Sequence, residues 1–218
     1  AMLEIGGRVE SVEERLATIA AWADRARKLV DPSGDTKAFQ HTASYFGSRL
    51  DPASTFNHAR RLAGRDEALN EALDAVQGAL ATNRRIAVVI AGHAGVGKSR
   101  ILLELAEHLQ QRGIAARWVR DEGLVPPEAA VELPDGPLVM FSDDAHRCRD
   151  LQTVLAIGQQ RAEPTVVVVG IRPWGRSALR VAALRGNVAF GRLLDRGDLP
   201  DLDRATLLGL VRDELGPD

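Results

Sequence analysis

Eight residues constrain this chain more than any others: Gly92-His93-Ala94-Gly95-Val96-Gly97-Lys98-Ser99. They match G-x-x-x-x-G-K-S/T without a mismatch. The apolar run from Arg85 to Ala91 precedes them and reads as a buried strand. Lys98 to Gln111 follows and reads as a helix with Ile101, Leu102, Leu105 and Leu109 facing inward. Glycines at 92, 95 and 97 let the backbone curl so that its N–H groups converge on an anion. The helix that starts near Lys98 aims its positive end at the same point. Gly92, His93, Ala94, Gly95, Val96, Gly97, Lys98, Ser99 and Arg100 are therefore expected to line a phosphate-bearing ligand. Lys98 is expected to reach the β- and γ-phosphates as a point charge. The Ser99 hydroxyl is expected to ligate Mg²⁺. The other lysines are Lys28 and Lys37, so Lys98 stands alone in the second half of an arginine-rich chain.

A second hydrophobic run ends in two acids: Leu138-Val139-Met140-Phe141-Ser142-Asp143-Asp144. In parallel sheets, ligands gather at the carboxyl ends of strands. Asp143 is expected to hold Mg²⁺ through water, and Asp144 to polarise an attacking water. The alternative is a pair of solvated acids capping the next helix. An Asp reaches less far than a Glu, which implies slow turnover. His146 and Arg147 follow and are expected to face solvent, with approach to a γ-phosphate as the alternative. The β-branched run Thr165 to Ile171 ends in Arg172. That cation is either a sensor of the γ-phosphate or a surface arginine at a strand exit. Lys98, Asp144 and Arg172 form the candidate catalytic set, Ser99 and Asp143 the metal set. ATP or ADP with Mg²⁺ is the implied ligand.

The rest of the chain supplies a frame. Leu69, Leu73, Val76 and Leu80 mark a helix from Arg65 to Ala81. Ile114 to Val119 reads as a strand, Asp150 to Arg161 and Ser177 to Leu184 as helices. Asn187 to Leu193 reads as a fifth strand and Leu202 to Leu215 as a final helix. Continuous apolar strands separated by helices predict a parallel sheet covered on both faces. The expected fold class is α/β, a P-loop NTPase three-layer sandwich around a parallel sheet of about five strands. A helical N-terminal segment, residues 1–61, is expected to precede a nucleotide-binding domain, residues 62–218. Within the first segment Val9, Val12, Leu16, Ile19, Ala23, Ala26 and Val30 follow a heptad. That spacing predicts a helix over Gly7 to Val30, packed on its own domain or on a partner. Phe39 to Asn57 predicts short helices or loop.

Composition excludes several classes. Of 218 residues, 45% are hydrophobic and 27% charged, as in an ordered soluble domain. The net charge of -2 gives no global footprint for nucleic acid. A single cysteine, Cys148, cannot form an internal disulfide and fits a cytoplasmic setting. The histidines lack zinc-ligand spacing. No apolar run approaches membrane-spanning length, so no membrane partner is expected.

Four stretches together resemble a known family. Gly64-Arg65-Asp66-Glu67 ahead of a helix resembles the "GRxxEL" entry motif of STAND-type NTPases, an AAA+-related branch of the P-loop proteins. The loop Gly92 to Ser99, continued by Arg100-Ile101-Leu102-Leu103-Glu104-Leu105, is similar to that family's "GxxGxGKSRLLxEL". Asp143-Asp144-Ala145-His146 resembles its doubled-acid motif, and Arg172 falls where the family places a sensor arginine. Leu199 to Leu215 is similar to the stretch leading into the family's helical lid.

The resemblance implies a switch that rests with ADP, exchanges it for ATP and then oligomerises. It implies that Gly64 and Arg65 lie near the adenine or ribose. It implies a longer signalling or antiviral-defence protein, with a lid, a winged helix and a C-terminal sensor domain beyond this chain. Three readings remain beside it: an AAA+ ATPase acting on nucleic acid or protein, the ATPase domain of a LuxR-type transcription regulator, and a non-catalytic oligomerisation scaffold stabilised by nucleotide. Arg180 and Arg185 are eligible by position as arginine fingers. The acids Asp121, Glu122, Glu128 and Glu132 stand where a small-molecule kinase would need a basic lid.

Overall fold

The computed structural model describes residues 34–47, 62–120, 124–188 and 193–215. The expected helix from Gly7 to Val30 lies outside the described residues. The chain divides into two compact units, Ala1–Thr36 and Lys37–Asp218. Every element named below belongs to the second.

Alternation along the strands builds the layers. β2 (Ile86–Ala91), β4 (Leu138–Ser142) and β5 (Thr165–Ile171) are buried at every position. Ile86, Val88, Ile90, Val139, Phe141, Val166 and Val168 point to one face. They pack there on α2 (Asp66–Ala81) and α3 (Lys98–Gln111). Ala87, Val89, Ala91, Leu138, Met140, Val167, Val169 and Ile171 point to the other. They meet α4 (Leu151–Gln160) and α5 (Arg176–Arg185). A strand with apolar groups on both faces has no wet side, which is why these runs are unbroken in sequence.

The sheet is completed by β1 (Phe39–Gln40), β3 (Ala115–Val119) and β6 (Leu193–Asp198). Its order is β1-β3-β4-β5-β2-β6. β1 runs antiparallel to β3, and the other pairs are parallel. The parallel sheet therefore has the five expected strands, and β1 adds a short sixth. α1 (Thr42–Phe46) follows β1, and α6 (Arg204–Leu215) is the last helix.

Two expectations are corrected. The fifth parallel strand is described over Leu193–Asp198, later than the expected Asn187 to Leu193, of which residues 189–192 lie outside the described residues. Asn187 has φ 58° and lies in the turn that leaves α5. β6 is an edge strand that pairs with β2 alone among the described residues, and four of its six residues are Asp195-Arg196-Gly197-Asp198. Edge strands carry charge on purpose, so the apolar signal pointed too early. Of the stretch Phe39 to Asn57, residues 42–46 form the expected short helix, residues 39–40 form a strand that was not expected, and residues 48–57 lie outside the described residues. β1 joins the sheet, and α1 brings Tyr45 and Phe46 onto Trp118. Trp118 stacks between Tyr45 and Phe141 with ring centroids 4.6 Å from each. Its indole N–H donates to Thr42 Oγ1 at 3.0 Å.

The strand order sets the site. β5 lies between β2, which leads into the glycine loop, and β4, which ends in the acids. Ala91 registers with Ile171, and Val169 with Ser142. The Gly92 N–H donates to the Ile171 carbonyl at 3.1 Å. Loop, arginine and acids thus emerge from one end of three adjacent strands.

Candidate functional site

The glycine loop spans the gap between β2 and α3. Gly97 is the residue before α3 and has φ 97°, a conformation that a side chain would strain. His93, Ala94 and Gly95 are exposed, Gly92 and Val96 are buried, and Ser99 is half-buried in the first turn of α3. Lys98 is only 6% exposed. Its ammonium donates to the carbonyls of Gly92 at 3.0 Å and His93 at 2.7 Å, so the lysine folds back over its own loop. Arg100 is held along α3 by Glu104.

Burial pulls the Lys98 ammonium below its ordinary pKa. The carboxylates of Asp144 and Asp143 act in the opposite direction, and the Arg172 cation adds to the lowering. Each of these charges is therefore felt at the same nitrogen. The structure brings together Lys98, Asp143, Asp144 and Arg172, which lie on three separate segments of the chain.

The acid turn has an unusual backbone. Asp144 is left-handed, with φ 46° and ψ 43°. Its N–H donates to Asp143 Oδ1 at 2.9 Å, which fixes that carboxylate against the turn. The room for it comes from β5. A Cβ on Gly170 would stand 2.8 Å from Asp143 Oδ1 and 2.9 Å from Leu102 Cδ1. The sequence offered a signal here, because a glycine inside a β-branched run often marks a close approach.

Arg172 follows β5 and is half-buried. Its Nε is buried without a hydrogen-bond partner. An unsatisfied buried donor is uncommon enough to need a reason. His146 departs from the solvent-facing expectation, since its side chain is only 3% exposed. Its ring meets Trp174 edge-on at 4.5 Å. Burial lowers its pKa, Asp144 opposes this, and Arg172, Arg147 and Lys98 add to the lowering. Nothing in the sequence near Asp144 announces that burial, because Trp174 is distant along the chain. Arg147 is exposed, as expected.

Arg65 packs against the loop and is 5% exposed. Its Nε donates to the Val96 carbonyl at 3.2 Å and its Nη2 to the Pro200 carbonyl at 2.6 Å. Burial lowers its pKa, with Asp201 pulling the other way. Gly64 beside it faces Leu202 and Thr206. Arg65 and Gly64 thus link the glycine loop to the segment that enters α6. Arg180 and Arg185 are both exposed on α5.

Among the described residues no helix is long and apolar enough to cross a membrane. No curated protein matches the sequence. Three solved structures are similar to this chain over part of their length. The RuvB Holliday junction branch migration motor of Thermotoga maritima gives a TM-score of 0.45 at 22% identity, over 75% of this chain and 53% of that one. The Orc1 protein of Aeropyrum pernix, in complex with DNA, gives 0.49 at 14% identity, over 83% of this chain and 55% of that one. Hsp104 of S. cerevisiae, in a casein complex, gives 0.49 at 15% identity, over 81% of this chain and 32% of that one. The family described as Novel STAND NTPase 5 matches residues 57–180, more than half of the sequence and all of the loop, acid and arginine segments, and the chain belongs to that family.

Proposed function

We propose that this chain is a nucleotide switch that binds ATP or ADP with Mg²⁺ and hydrolyses ATP slowly. The observation that carries the proposal is the strand order, which brings Asp143 and Asp144 beyond β4 and Arg172 beyond β5 to the same end of the sheet as the glycine loop. Family membership implies the nucleotide. Its place within a signalling or antiviral-defence protein rests on the same relationship.

The residues fit the proposed ligand. A polyphosphate needs cations and N–H donors, which Lys98, Arg172 and the loop supply. Mg²⁺ prefers hard oxygen donors, and Ser99 with Asp143 offers a hydroxyl and a carboxylate. Gly170 keeps open the space that the Asp143 carboxylate uses. When bound, the metal would neutralise phosphate charge.

In this mechanism, Lys98 exchanges its two carbonyl partners for phosphate oxygens and stabilises charge on the leaving β-phosphate. The unpaired Nε of Arg172 gains an acceptor on the terminal phosphate, so the arginine distinguishes ATP from ADP. Asp144 orients a water for in-line attack and receives its proton. Its side chain is short and its backbone fixed, and both features favour slow turnover.

The first test is to denature the purified protein and identify any released nucleotide by chromatography. Stoichiometric ADP supports the resting switch, whereas an empty site with rapid turnover supports an ordinary ATPase. Lys98→Ala is expected to lose most nucleotide affinity. Asp144→Asn is expected to bind within a few-fold of the natural chain and to hydrolyse about a hundredfold more slowly. Equal loss of binding in both variants contradicts the assigned roles.

A further inference from the structure

The residues after the acids and after β5 interlock in a way that the proposed reaction has not used. His146 lies in the short helical turn Ala145–Arg147, three residues beyond Asp143. Trp174 and Gly175 lie in the turn Pro173–Gly175, directly beyond Arg172. The two turns touch through named atoms. A Cβ on Gly175 would stand 2.7 Å from the Cβ of His146, so the backbone of one turn is pressed against the side chain of the other. The imidazole meets the Trp174 ring at 4.5 Å with an interplanar angle of 74°.

The chemistry of the imidazole is also unusual. Its Nδ1 is buried with no hydrogen-bond partner, and it stands 4.0 Å from Asp144 Oδ1. That is about an ångström beyond hydrogen-bond length, so a small movement of Asp144 closes the gap. An unpaired buried nitrogen costs free energy, and a phenyl ring would pack on Trp174 without that cost. Across the contact, Arg172 carries its own buried and unpaired Nε. The far end is open to solvent, because Trp174 is 66% exposed.

From this juxtaposition, and resting on the nucleotide reading above, we infer that His146 is a positioning residue that couples the Arg172 loop to Asp144. Its ring holds the loop through Trp174 and Gly175. Its Nδ1 aligns Asp144 when Arg172 engages a terminal phosphate. Phosphate occupancy and acid alignment then change together, and Trp174 carries the change to the surface.

The test uses the full chain, with ADP and a non-hydrolysable ATP analogue, each with Mg²⁺. Affinity is measured by calorimetry. Trp174 emission is isolated as the difference from Trp174→Phe. In the natural chain, the ATP analogue should change that emission and ADP should not. His146→Ala should bind both nucleotides within about threefold, lose the emission change, and turn over about ten- to a hundredfold more slowly at saturating ATP. His146→Phe keeps the ring and lacks the nitrogen, so it should retain the emission change and remain slow.

The inference is overturned if His146→Ala keeps both the emission change and the rate, or if His146→Phe turns over like the natural chain. It is overturned equally if the natural chain binds both nucleotides and Trp174 fails to distinguish them; the nucleotide site then stands. A natural chain that binds neither nucleotide removes the site itself and the coupling with it.

Discussion

Only a hydrogen fits at position 170 between the strand and Asp143 Oδ1. Gly170→Ala should therefore displace the carboxylate and leave the glycine loop in place. Mg²⁺-dependent hydrolysis should fall about a hundredfold, with nucleotide affinity in EDTA within a few-fold of the natural value. Steady-state kinetics beside calorimetry separates the two. His146 adds a pH dependence. Its folded pKa lies below the ordinary 6.5, first through burial, against the pull of Asp144 and with Arg172, Arg147 and Lys98 assisting. The unfolded chain then takes up this proton at a higher pH than the folded one. The stabilisation is complete above 6.5 and is lost as pH falls from there towards the folded value. Thermal midpoints at about pH 7.5 and about pH 5.5 should differ more in the natural chain than in His146→Phe. At this scale the sequence disclosed residue types and spacing, and it hid environment. Lys98 and the acids were legible because a loop motif and a strand end fix their places. The burial of His146 was not, because it depends on Trp174 arriving from another strand.

Elements differ in legibility for the same physical reason. β2, β4, β5 and α3 bury nearly everything inward, so their apolar patterns are complete. β1 is two residues long, too short for any period, and β6 is half charged. β6 is secured from outside the sheet instead. Arg176 donates to Asp195 at 2.7 and 3.1 Å, and its Nη1 lies 2.6 Å from Asp198. Burial raises the Asp195 pKa, but the hydrogen bonds from Arg176 and the Gly197 N–H, together with the charges of Arg176 and Arg180, bring it below the ordinary value. These groups are partly exposed, so Arg176→Ala should cost only about 1 kcal/mol. Amide exchange over Leu193–Asp198 should nevertheless quicken, while exchange in β5 stays slow. The opposite side behaves differently. Trp118 is fully buried among Tyr45, Phe46 and Phe141, and Trp118→Ala should cost about 3–5 kcal/mol in denaturant titration.

On the scale of the whole molecule, one buried guanidinium joins parts that are far apart in sequence. Arg65 binds the Val96 carbonyl on the glycine loop and the Pro200 carbonyl before α6. The Leu199 N–H donates to the Ala91 carbonyl at 2.7 Å, close to the same junction. The family resemblance placed Arg65 near the adenine or ribose, and nothing in the sequence pointed to Pro200 as its partner. Arg65→Met keeps the apolar stem and strands two carbonyls. It should cost about 2 kcal/mol and expose the 199–203 connection to limited proteolysis. The order of the strands has a mechanical consequence as well. β1 and β6 form the two margins of one sheet, so tension between Phe39 and Asp198 passes in series through β3, β4, β5 and β2. Stretched from those points, the two-residue β1 pairing should peel before the wider β2–β5 seam yields. The strand that leads into the glycine loop takes the load directly from β6, yet it would keep its place because the β1 pairing gives way first.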